Sequence, residues 1–341
     1  MYLWNTTKQY PVKMLISNPK VSVIFCVFNV EKFIVKCARH AFCQTYQNIE
    51  FIFVDDGCQD NSIILAESVL NNEFPQLKHR VKFLHQKNSG LSAARLAGLK
   101  EATGDYVLFI DPDDWCKRQT VEKLVAAALK CNADMVVCNY YNAYRFIHVP
   151  RREKRFASKS ETLKALFCHH HFRGYLWNKL VRKELYFAEG LYYPATAHCE
   201  DMVRTSQAIV HAHTITYIPD HLIYYNKTNP HSMSMNGFKR KTIDVVRNIM
   251  NLYLFYEAKD DSPFIGIEEP VLLRRASQIL RSEAFELFDE YPMILEACSD
   301  TLRQLPKREL NDIMPKSLQR KTKRAFEAYL QMLDGQNRRN Q

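Results

Sequence analysis

Short apolar runs that alternate with amphipathic stretches are the feature that most limits what this 341-residue chain can fold into. Five runs rich in β-branched or aromatic residues are predicted to be strands: residues 21–27, 50–54, 81–85, 105–110 and 134–138. The stretches between them carry apolar residues at helical spacing: residues 31–43, 60–70, 91–102 and 119–131. Regular alternation of strand and helix predicts an α/β fold, with a mostly parallel sheet and helices on both faces.

The second half of the chain lacks this alternation. Residues 160–230 are predicted to mix short helices and loops, and residues 238–335 to form several amphipathic helices separated by prolines. We therefore expect a helical C-terminal region over residues 236–341, and an N-terminal extension over residues 1–19. No stretch is apolar enough for a membrane span, and the N-terminus does not resemble a signal peptide. The ten cysteines lack CxxC spacing and are predicted to be reduced thiols, so a cytoplasmic location is expected.

The formal net charge of +10 bears on the partners of the chain, because nucleic acid, anionic membranes and phosphorylated substrates all attract basic proteins. Nucleic acid is not expected, because no motif of a nucleic-acid-binding module is present. Residues 302–341 hold ten Lys/Arg against four Asp/Glu, and we expect them to make peripheral contact with an anionic inner leaflet. This segment has an apolar stripe that would pack equally well on protein: Phe326, Tyr329, Leu330 and Leu333.

Residues 110–115 contain the strongest chemical signal, because Asp111, Asp113 and Asp114 follow a predicted strand within four positions. Carboxylates crowded in this way raise one another's pKa unless a cation lies between them. Mg²⁺ or Mn²⁺ would neutralise them, and such ions commonly bridge to substrate phosphates. A solvated acidic turn, or a helix N-cap at Asp113 or Asp114, is the alternative interpretation.

A second acidic turn, Asp55-Asp56-Gly57, follows another predicted strand. A carboxylate at this place can accept hydrogen bonds from a base or a ribose. The alternative is an Asx turn that leads into the next helix. In α/β sheets, ligands bind beyond the carboxyl ends of the strands, where both acidic turns are predicted to lie.

Four segments taken together carry a family resemblance: VSVIFCVFN, EFIFVDDGCQDNS, QKNSGLSAARLAGLKEATGDYVLFIDPDDW and ADMVVCNY. Their order resembles glycosyltransferase family 2, the inverting nucleotide-sugar enzymes with the GT-A fold. The resemblance covers about residues 20–142 and continues more weakly through LWNKL, Glu200-Asp201 and YYNKTNPHSMS. Residues 238–341 lie outside it.

The resemblance implies a role for each matching position. Nine residues match the nucleotide-binding positions: Val27, Phe28, Asn29, Asp55, Asp56, Asn88, Gly90, Arg95 and Asp111. Asp111 and Asp113 match the Asp-x-Asp motif that binds Mn²⁺ or Mg²⁺, and Asp113 is the expected direct ligand. Asp201 matches the catalytic base. Four residues match positions that border the acceptor: Trp177, Asn178, Lys179 and Glu200.

The implied reaction is inverting transfer of a sugar from a nucleoside diphosphate donor to an acceptor hydroxyl. UDP is the nucleotide typical of the family, and the expected acceptor is a growing surface glycan or a lipid-linked saccharide. The resemblance implies a GT-A catalytic domain over residues 20–235. Residues 20–142 would form its nucleotide-sugar half, and residues 143–235 its acceptor half.

Several positions depart from the family pattern: Cys26, Cys58, Leu96, Pro112 and the pair Asn226-Lys227. All the carboxylates with expected roles in the reaction are retained, so activity is still expected. Three other functions stay open. A sugar nucleotidyltransferase would need a glycine-rich basic loop that FNVEKF lacks, a silent nucleotide-sugar-binding protein would need no turnover, and a nucleic-acid binder is suggested by charge alone.

Overall fold

A computed structural model of the chain describes residues 17–169, 172–192, 194, 199–230, 232, 238–257, 259–260, 262–297, 324–329 and 331. These residues form two compact units. The first is drawn from residues 1–157 and 174–231, and the second from residues 158–173 and 232–341. No helix within the described ranges combines the length and apolar character that crossing a membrane requires.

A nine-stranded sheet forms the centre of the first unit. Its strands are β1 (Val21–Val27), β2 (Ile49–Asp55), β3 (Val81–His85), β4 (Tyr106–Phe109), β5 (Trp115–Cys116), β6 (Met135–Ala143), β7 (His148–Arg151), β8 (Lys179–Arg182) and β9 (Ile215–Asn226). They lie in the order β3-β2-β1-β4-β8-β6-β9-β5, and β7 pairs with β6. The strands β3, β2, β1 and β4 are parallel, as predicted.

The other part of the sheet is mixed rather than parallel. β8 lies between β4 and β6 and is antiparallel to both, whereas β9 runs parallel to β6. The twelve-residue β9 falls in a segment predicted to mix short helices and loops. Pro219 interrupts the strand pattern of β9. It lies beside an irregularity in the β6–β9 register at Asn139 of β6, and the Asn139 side-chain amide donates to the Pro219 carbonyl at 2.9 Å. A proline inside a run weakens the sequence signal of a strand.

Five α-helices belong to the first unit: α1 (Glu31–Phe42), α2 (Ser62–Glu73), α3 (Leu91–Glu101), α4 (Thr120–Cys131) and α6 (Glu200–His211). The amphipathic α1 buries Ile34, Cys37 and Ala38. The core beneath the helices comes from the strands themselves, because Val23, Phe25 and other residues of both faces of β1 and β2 are buried. Burial on both faces explains why these strands have continuous apolar sequences rather than alternating ones.

The second unit is helical where the structure describes it. It contains α5 (Lys159–Lys164), α7 (Phe238–Tyr256), α8 (Glu268–Ser282) and α9 (Glu286–Glu290), with a further helical turn at residues 324–329. The expectation of a helical C-terminal region is therefore confirmed. Phe326 and Tyr329 are buried in this core, and Tyr329 packs on Phe285 and Phe288. Two of the four apolar positions considered for membrane contact thus face protein, while Leu330 and Leu333 lie outside the described residues.

Candidate active site

The parallel part of the sheet brings the polar strand ends together. β1 lies between β2 and β4, with Val27 opposite Asp55 and Ile24 opposite Phe109. The turns that follow these three strands contain the predicted nucleotide and metal residues. Because parallel strands end at the same edge of a sheet, all three turns lie at one edge.

Asp56 is a buried carboxylate that organises the neighbouring loop. Its Oδ1 accepts hydrogen bonds from the Gln86 side chain at 2.7 Å and the Ser89 backbone N–H at 2.8 Å. Its Oδ2 accepts from the Gly90 backbone N–H at 3.0 Å. The carboxylate therefore holds the 86–90 loop, which contains Asn88 and Gly90 and leads into α3.

Asp55 closes the acidic turn, which was the alternative interpretation of this segment, while its contact with a nucleotide stays a prediction. Its Oδ1 accepts from the Cys58 backbone N–H at 2.8 Å, which closes the acidic turn, and its Oδ2 lies 3.0 Å from His85 Nδ1. Burial would raise the pKa of Asp55, but the hydrogen bonds from Cys58 and His85 hold it below its ordinary value. Gly57 adopts a positive φ of 76°, and a Cβ there would lie 2.8 Å from the Asn88 nitrogen. Glycine at this position allows the acidic turn and the 86–90 loop to approach each other.

The turn after β1 presents one apolar side chain at the same edge. Val27 is buried, and its carbonyl accepts from the Asp56 N–H at 3.0 Å. Phe28 is 44% exposed, and Asn29 has a positive φ of 50° with its side-chain oxygen accepting from the Gln59 N–H at 2.8 Å. Phe28 therefore offers an exposed apolar side chain to a ligand, beside the exposed Asn29.

The turn Asp111–Asp114 follows β4 and is closed by a hydrogen bond of 2.9 Å from the Asp114 N–H to the Asp111 carbonyl. The short strand β5 comes next, so the alternative of a helix N-cap at Asp113 or Asp114 is wrong. Burial, followed by the neighbouring Asp111, raises the pKa of Asp113 to about 6. Burial also raises the pKa of Asp114 well above its usual range, with Asp113 and Asp111 adding to the effect.

The last residue of β9, Asn226, and the nearby Asn229 contact this carboxylate turn. The Asn229 side-chain amide donates to Asp113 Oδ2 at 2.8 Å, and the Asn226 N–H donates to Asp114 Oδ1 at 2.7 Å. Asp114 is 1% exposed, and its second oxygen, Oδ2, has no hydrogen-bond partner. A buried carboxylate oxygen without a donor is costly, and a cation would relieve that cost.

A divalent cation fits this turn as a shared ligand. Across the described part of the chain, no three His, Cys, Asp or Glu groups are arranged to hold a metal by themselves. Asp111 and Asp113 can supply carboxylate oxygens, and the rest of the coordination shell would come from water and substrate phosphates. Mg²⁺ is commonly bound in this way, through one or two carboxylates.

Arg95 of α3 connects the carboxylate turn to α6. Its guanidinium is buried, donates to Asp111 Oδ1 at 3.2 Å and forms an ion pair with Glu200. Burial opposes its charge, but Glu200 and Asp111 more than offset this and raise the pKa of Arg95. Glu200 lies buried between Arg95 and Arg204, whose Nε is 3.3 Å from Glu200 Oε2, and its position beside an acceptor stays a prediction. Its contacts indicate a positioning role.

Asp201 lies in the first turn of α6, directly after Glu200. Its Oδ1 accepts from the Met202 N–H at 2.8 Å. Burial, followed by the charge of Glu200, raises the pKa of Asp201 to about 6, although Arg95 acts in the opposite direction. A carboxylate with a pKa in this range can accept a proton at neutral pH and releases it readily.

The segment Trp177-Asn178-Lys179, expected to border the acceptor, is buried. Trp177 stacks on Tyr175 with ring centroids 4.6 Å apart, and Lys179 Nζ donates to the Tyr175 carbonyl and to Asn178 Oδ1 at 2.7 and 2.8 Å. Burial lowers the pKa of Lys179 to about 8. These contacts support the surrounding structure, and direct contact of the three side chains with an acceptor stays a prediction.

The structure thus brings most of the predicted residues to one sheet edge, but with different degrees of access. It also adds Asn226 and Asn229, which the sequence analysis did not assign to the site. Their segment, YYNKTNPHSMS, was part of the weaker resemblance. The replacement of a Tyr-Arg pair by Asn226-Lys227 was the signal that could have directed attention to it.

Comparison with known proteins agrees with this geometry. The profile of glycosyl transferase family 2 matches residues 22–188. Glycosyltransferase GlyA of Streptococcus pneumoniae is 40% identical over 128 residues, which are 38% of this chain and 18% of GlyA. The cholesterol galactosyltransferase of Borreliella burgdorferi is 32% identical over 228 residues, which are 63% of this chain and 62% of that protein. The match therefore spans less than two thirds of each of these relatives.

Solved structures show the same fold at low identity. S. aureus TarS 1–349 in complex with UDP-GlcNAc has a TM-score of 0.62 and 20% identity, covering 92% of each chain. Mannosyltransferase PcManGT from Pyrobaculum calidifontis in complex with GDP-Man and Mn²⁺ has a TM-score of 0.56 and 18% identity, covering 95% of this chain and 91% of that chain. Residues 22–188 therefore belong to glycosyl transferase family 2, and the chain has the GT-A fold.

Proposed function

We propose that the chain transfers a sugar, with inversion, from a nucleoside diphosphate donor to an acceptor hydroxyl. The observation that carries this proposal is the incompletely neutralised group of carboxylates after β4. Asp114 Oδ2 has no hydrogen-bond partner, and the pKa of Asp113 is raised to about 6 by burial and by Asp111. Such an arrangement is unfavourable in isolation and is typical of a site completed by its ligands.

Mn²⁺ or Mg²⁺ is the proposed cofactor, with Asp111 and Asp113 as its protein ligands. When bound, the ion would neutralise these carboxylates and stabilise the charge that develops on the diphosphate leaving group. Asn229 orients Asp113, and Arg95 orients Asp111, through the hydrogen bonds described above. The Mn²⁺ complex of PcManGT supports this choice of cofactor.

Asp201 is the proposed general base. It would accept the proton of the acceptor hydroxyl while that oxygen attacks the anomeric carbon from the face opposite the diphosphate. A single displacement of this kind inverts the anomeric configuration. Glu200 supports the reaction by fixing the start of α6 through its ion pair with Arg95.

A UDP-sugar is the proposed donor. TarS was solved with UDP-GlcNAc and PcManGT with GDP-Man, which supports a nucleoside diphosphate sugar as the donor class. Asp55 and the 86–90 loop held by Asp56 would line the base and ribose positions. Phe28 offers an exposed ring against which a base can stack.

A growing surface glycan or a lipid-linked saccharide is the proposed acceptor. The name of the cholesterol galactosyltransferase assigns a lipid acceptor to that relative. We further propose a cytoplasmic enzyme that meets its acceptor at the inner face of a membrane, to which the basic charge of residues 302–341 would contribute. Residues 20–235 would form the catalytic domain, divided near residue 142 into donor and acceptor halves.

A panel of nucleotide sugars tests the proposal. Release of the nucleoside diphosphate is measured with Mn²⁺ or Mg²⁺, with and without saccharide acceptors, and the anomeric configuration of the product is read by NMR. We expect one UDP-sugar to be turned over with inversion, and the variant Asp201→Asn to be almost inactive. Binding of nucleotide sugars without turnover would instead indicate a silent binding protein, and a retained anomeric configuration would contradict the mechanism.

A further inference from the structure

The hairpin that joins β6 to β7 carries an unusual cluster of exposed apolar side chains. Its loop spans residues 144–147 and is closed by a hydrogen bond of 2.9 Å from the Tyr144 N–H to the Ile147 carbonyl. Phe146 is 86% exposed, Ile147 65% and Tyr144 46%. A single exposed apolar residue is ordinary, but three within four positions at the tip of a hairpin indicate a binding surface.

Exposed cations flank this apolar tip. Arg145 lies within the loop, with its guanidinium 5.2 Å from the centre of the Phe146 ring, and Arg151 and Arg152 follow at the end of β7. Lys154 and Arg155 continue the basic run, and Glu153 is the only acidic residue between positions 144 and 156. The Glu153 carboxylate accepts a hydrogen bond of 3.1 Å from Asn178 and is partly buried. The exposed surface of the hairpin is therefore mainly apolar at its tip, with one arginine in the loop and a positively charged run at and beyond the end of β7.

The hairpin begins beside the carboxylate turn. The Ala143 carbonyl, at the end of β6, accepts from the Lys227 N–H at 2.8 Å. Lys227 lies between Asn226, which donates to Asp114, and Asn229, which donates to Asp113. The residue directly before the 144–147 loop is therefore connected, through the segment 226–229, to Asp114 and to the proposed metal ligand Asp113.

We propose that the β6–β7 hairpin is a membrane-docking element, whose apolar tip inserts among the headgroups of an anionic lipid surface. Phe146 and Ile147 supply apolar area, and Tyr144 is suited to the boundary between headgroups and acyl chains. Arg145 can extend its charge to lipid phosphates while its stem remains against Phe146, and Arg151 and Arg152 add positive charge at the far end of β7. Docking would hold the carboxylate turn near the membrane surface. Docking does not depend on the proposed function, but its use for reaching a lipid-linked acceptor does.

A soluble polyanion, such as a phosphate-containing glycan, is the main competing ligand. It would be held by the arginines, but it would gain little from exposed Phe146 and Ile147 side chains. The combination of both features on one hairpin favours lipid. Substitutions that separate the two features can therefore decide between the ligands.

Vesicle flotation of the full chain tests the proposal. The vesicles are phosphatidylcholine alone, or phosphatidylcholine with about one third phosphatidylglycerol to supply negative charge. We compare the wild type with the double variant Phe146→Ser/Ile147→Ser. We also compare it with the triple variant in which Arg145, Arg151 and Arg152 are replaced by Ser. We expect the wild type to bind the anionic vesicles, and each variant to lose about tenfold or more in partitioning.

Matched controls lie elsewhere on the first unit. Ile64 on α2 is 64% exposed, close to the 65% of Ile147, so the single variants Ile64→Ser and Ile147→Ser form a matched pair. Lys32, Lys100 and Lys130 are exposed, and their replacement by Ser removes the same charge as the arginine triple. We expect both controls to bind as the wild type does, and circular dichroism to show all variants folded.

Three results would overturn the proposal. The wild type could fail to bind anionic vesicles, or the controls could lose as much binding as the hairpin variants. Loss of binding by the triple arginine variant alone, with binding of the double variant Phe146→Ser/Ile147→Ser unchanged, would assign the surface to a soluble polyanion. Donor turnover with a soluble acceptor is measured in parallel and should be unchanged in the hairpin variants. Absence of turnover in every protein, including the wild type, would contradict the proposed function without affecting the docking result.

Discussion

Two groups of buried or partly buried carboxylates in the first unit differ in how well the protein neutralises them. Glu50 accepts from Ser22 Oγ at 2.6 Å and the Thr103 N–H at 2.7 Å, and its other oxygen lies 2.8 Å from Lys20 Nζ. Burial would raise the pKa of Glu50, but Lys20, Ser22 and Thr103 together lower it to about 2. Asp56 likewise accepts three hydrogen bonds. Asp113 and Asp201 instead have pKa values raised to about 6, and Asp114 keeps an oxygen without a partner.

The first group consists of carboxylates whose charge is neutralised by neighbouring groups of the protein. The second consists of carboxylates whose charge a ligand would have to neutralise. A folded chain gains stability by giving each buried charge its donors. Carboxylates left without enough donors cost stability and are retained where a cation or a proton is to be bound. On this criterion Glu50 and Asp56 are neutralised by the fold, while Asp113 and Asp201 fit the roles in metal and proton binding that we propose for them.

The largest expected effect is that of Asp113→Ala. We expect turnover to fall by about 10³ or more, because one of the proposed ligands that place positive charge at the leaving group is lost. Calorimetry with Mn²⁺ should show weakened metal binding, and EDTA should abolish activity of the wild type. Full activity in the presence of chelator would remove the metal from the mechanism.

Asp201→Asn should lower turnover by about 10²–10⁴, the range for loss of one general base. Donor binding should change little, because the proposed donor contacts lie on other elements. Because the carboxylate must be ionised to accept a proton, activity of the wild type should fall as the pH drops through about 6, the pKa raised by burial of Asp201. Glu200→Gln serves as the control and should be milder, since Glu200 only positions α6. If Glu200→Gln is inactive while Asp201→Asn is active, the base has been assigned to the wrong carboxylate.

Asp56→Ala should act on nucleotide binding through the 86–90 loop. Loss of hydrogen bonds to a charged acceptor costs about 1.5–3 kcal/mol, which corresponds to roughly a 10–150-fold weaker UDP affinity if the loop order is needed for binding. Calorimetric titration of UDP measures this, with Asp55→Ala in parallel. Unchanged affinity in both variants would exclude the acidic turn from the nucleotide site.

The smallest effect, on stability, tests the comparison most directly. Burial raises the pKa of Asp201 in the folded state to about 6, above its ordinary value, so the folded state binds this proton more tightly than the unfolded state does. Protonation of Asp201 therefore stabilises the fold at low pH, and this stabilisation is lost as the pH rises through 6. At pH 7 Asp201→Asn should therefore raise the free energy of unfolding, by about 1–3 kcal/mol.

Glu50→Gln should do the opposite. The folded pKa of Glu50, about 2, lies below its ordinary value because of Lys20, Ser22 and Thr103, so its stabilisation is present above pH 4.5 and is lost as the pH falls toward 2. The variant should unfold about 2 kcal/mol more easily at pH 7, with little effect near pH 2. Urea denaturation at several pH values measures both variants, and destabilisation by both at pH 7 would contradict the comparison.

Local patterns were sufficient to predict the parallel half of the fold. The strands predicted at 21–27 and 81–85 have those bounds in the structure, and those at 50–54 and 105–110 differ by one residue at each end. β1, β2 and β4 are buried on both faces, so their apolar character is continuous and recognisable in any single chain, whereas β3 at the edge of the sheet is only partly buried. Asp55, Asp56, Asp111 and Asp113 were found for a related reason, because they lie at or directly after the ends of such strands, whereas Asp201 at the start of α6 was found from the family resemblance.

Pairing between strands that are distant in the sequence could not be predicted from local patterns. The insertion of antiparallel β8 between β4 and β6, and the length of β9, depend on hydrogen bonds across the chain rather than on periodicity. The burial of Trp177, Asn178 and Lys179 likewise depends on Tyr140, Tyr175 and Tyr225, which pack around Trp177 from other strands and loops.

The sequence by itself therefore determined the fold family, the positions of the parallel strands along the chain and the identity of the acidic residues at their ends. Only the tertiary structure decided which of those carboxylates are neutralised by neighbours, since Asp56 receives its donors from a loop 30 to 34 residues away and Asp113 receives Asn229 from 116 residues away. The exposure of the side chains at the tip of the β6–β7 hairpin was likewise decided by the tertiary structure. A side chain's charge state and accessibility depend on what folds against it, and that is a property of contacts rather than of local sequence.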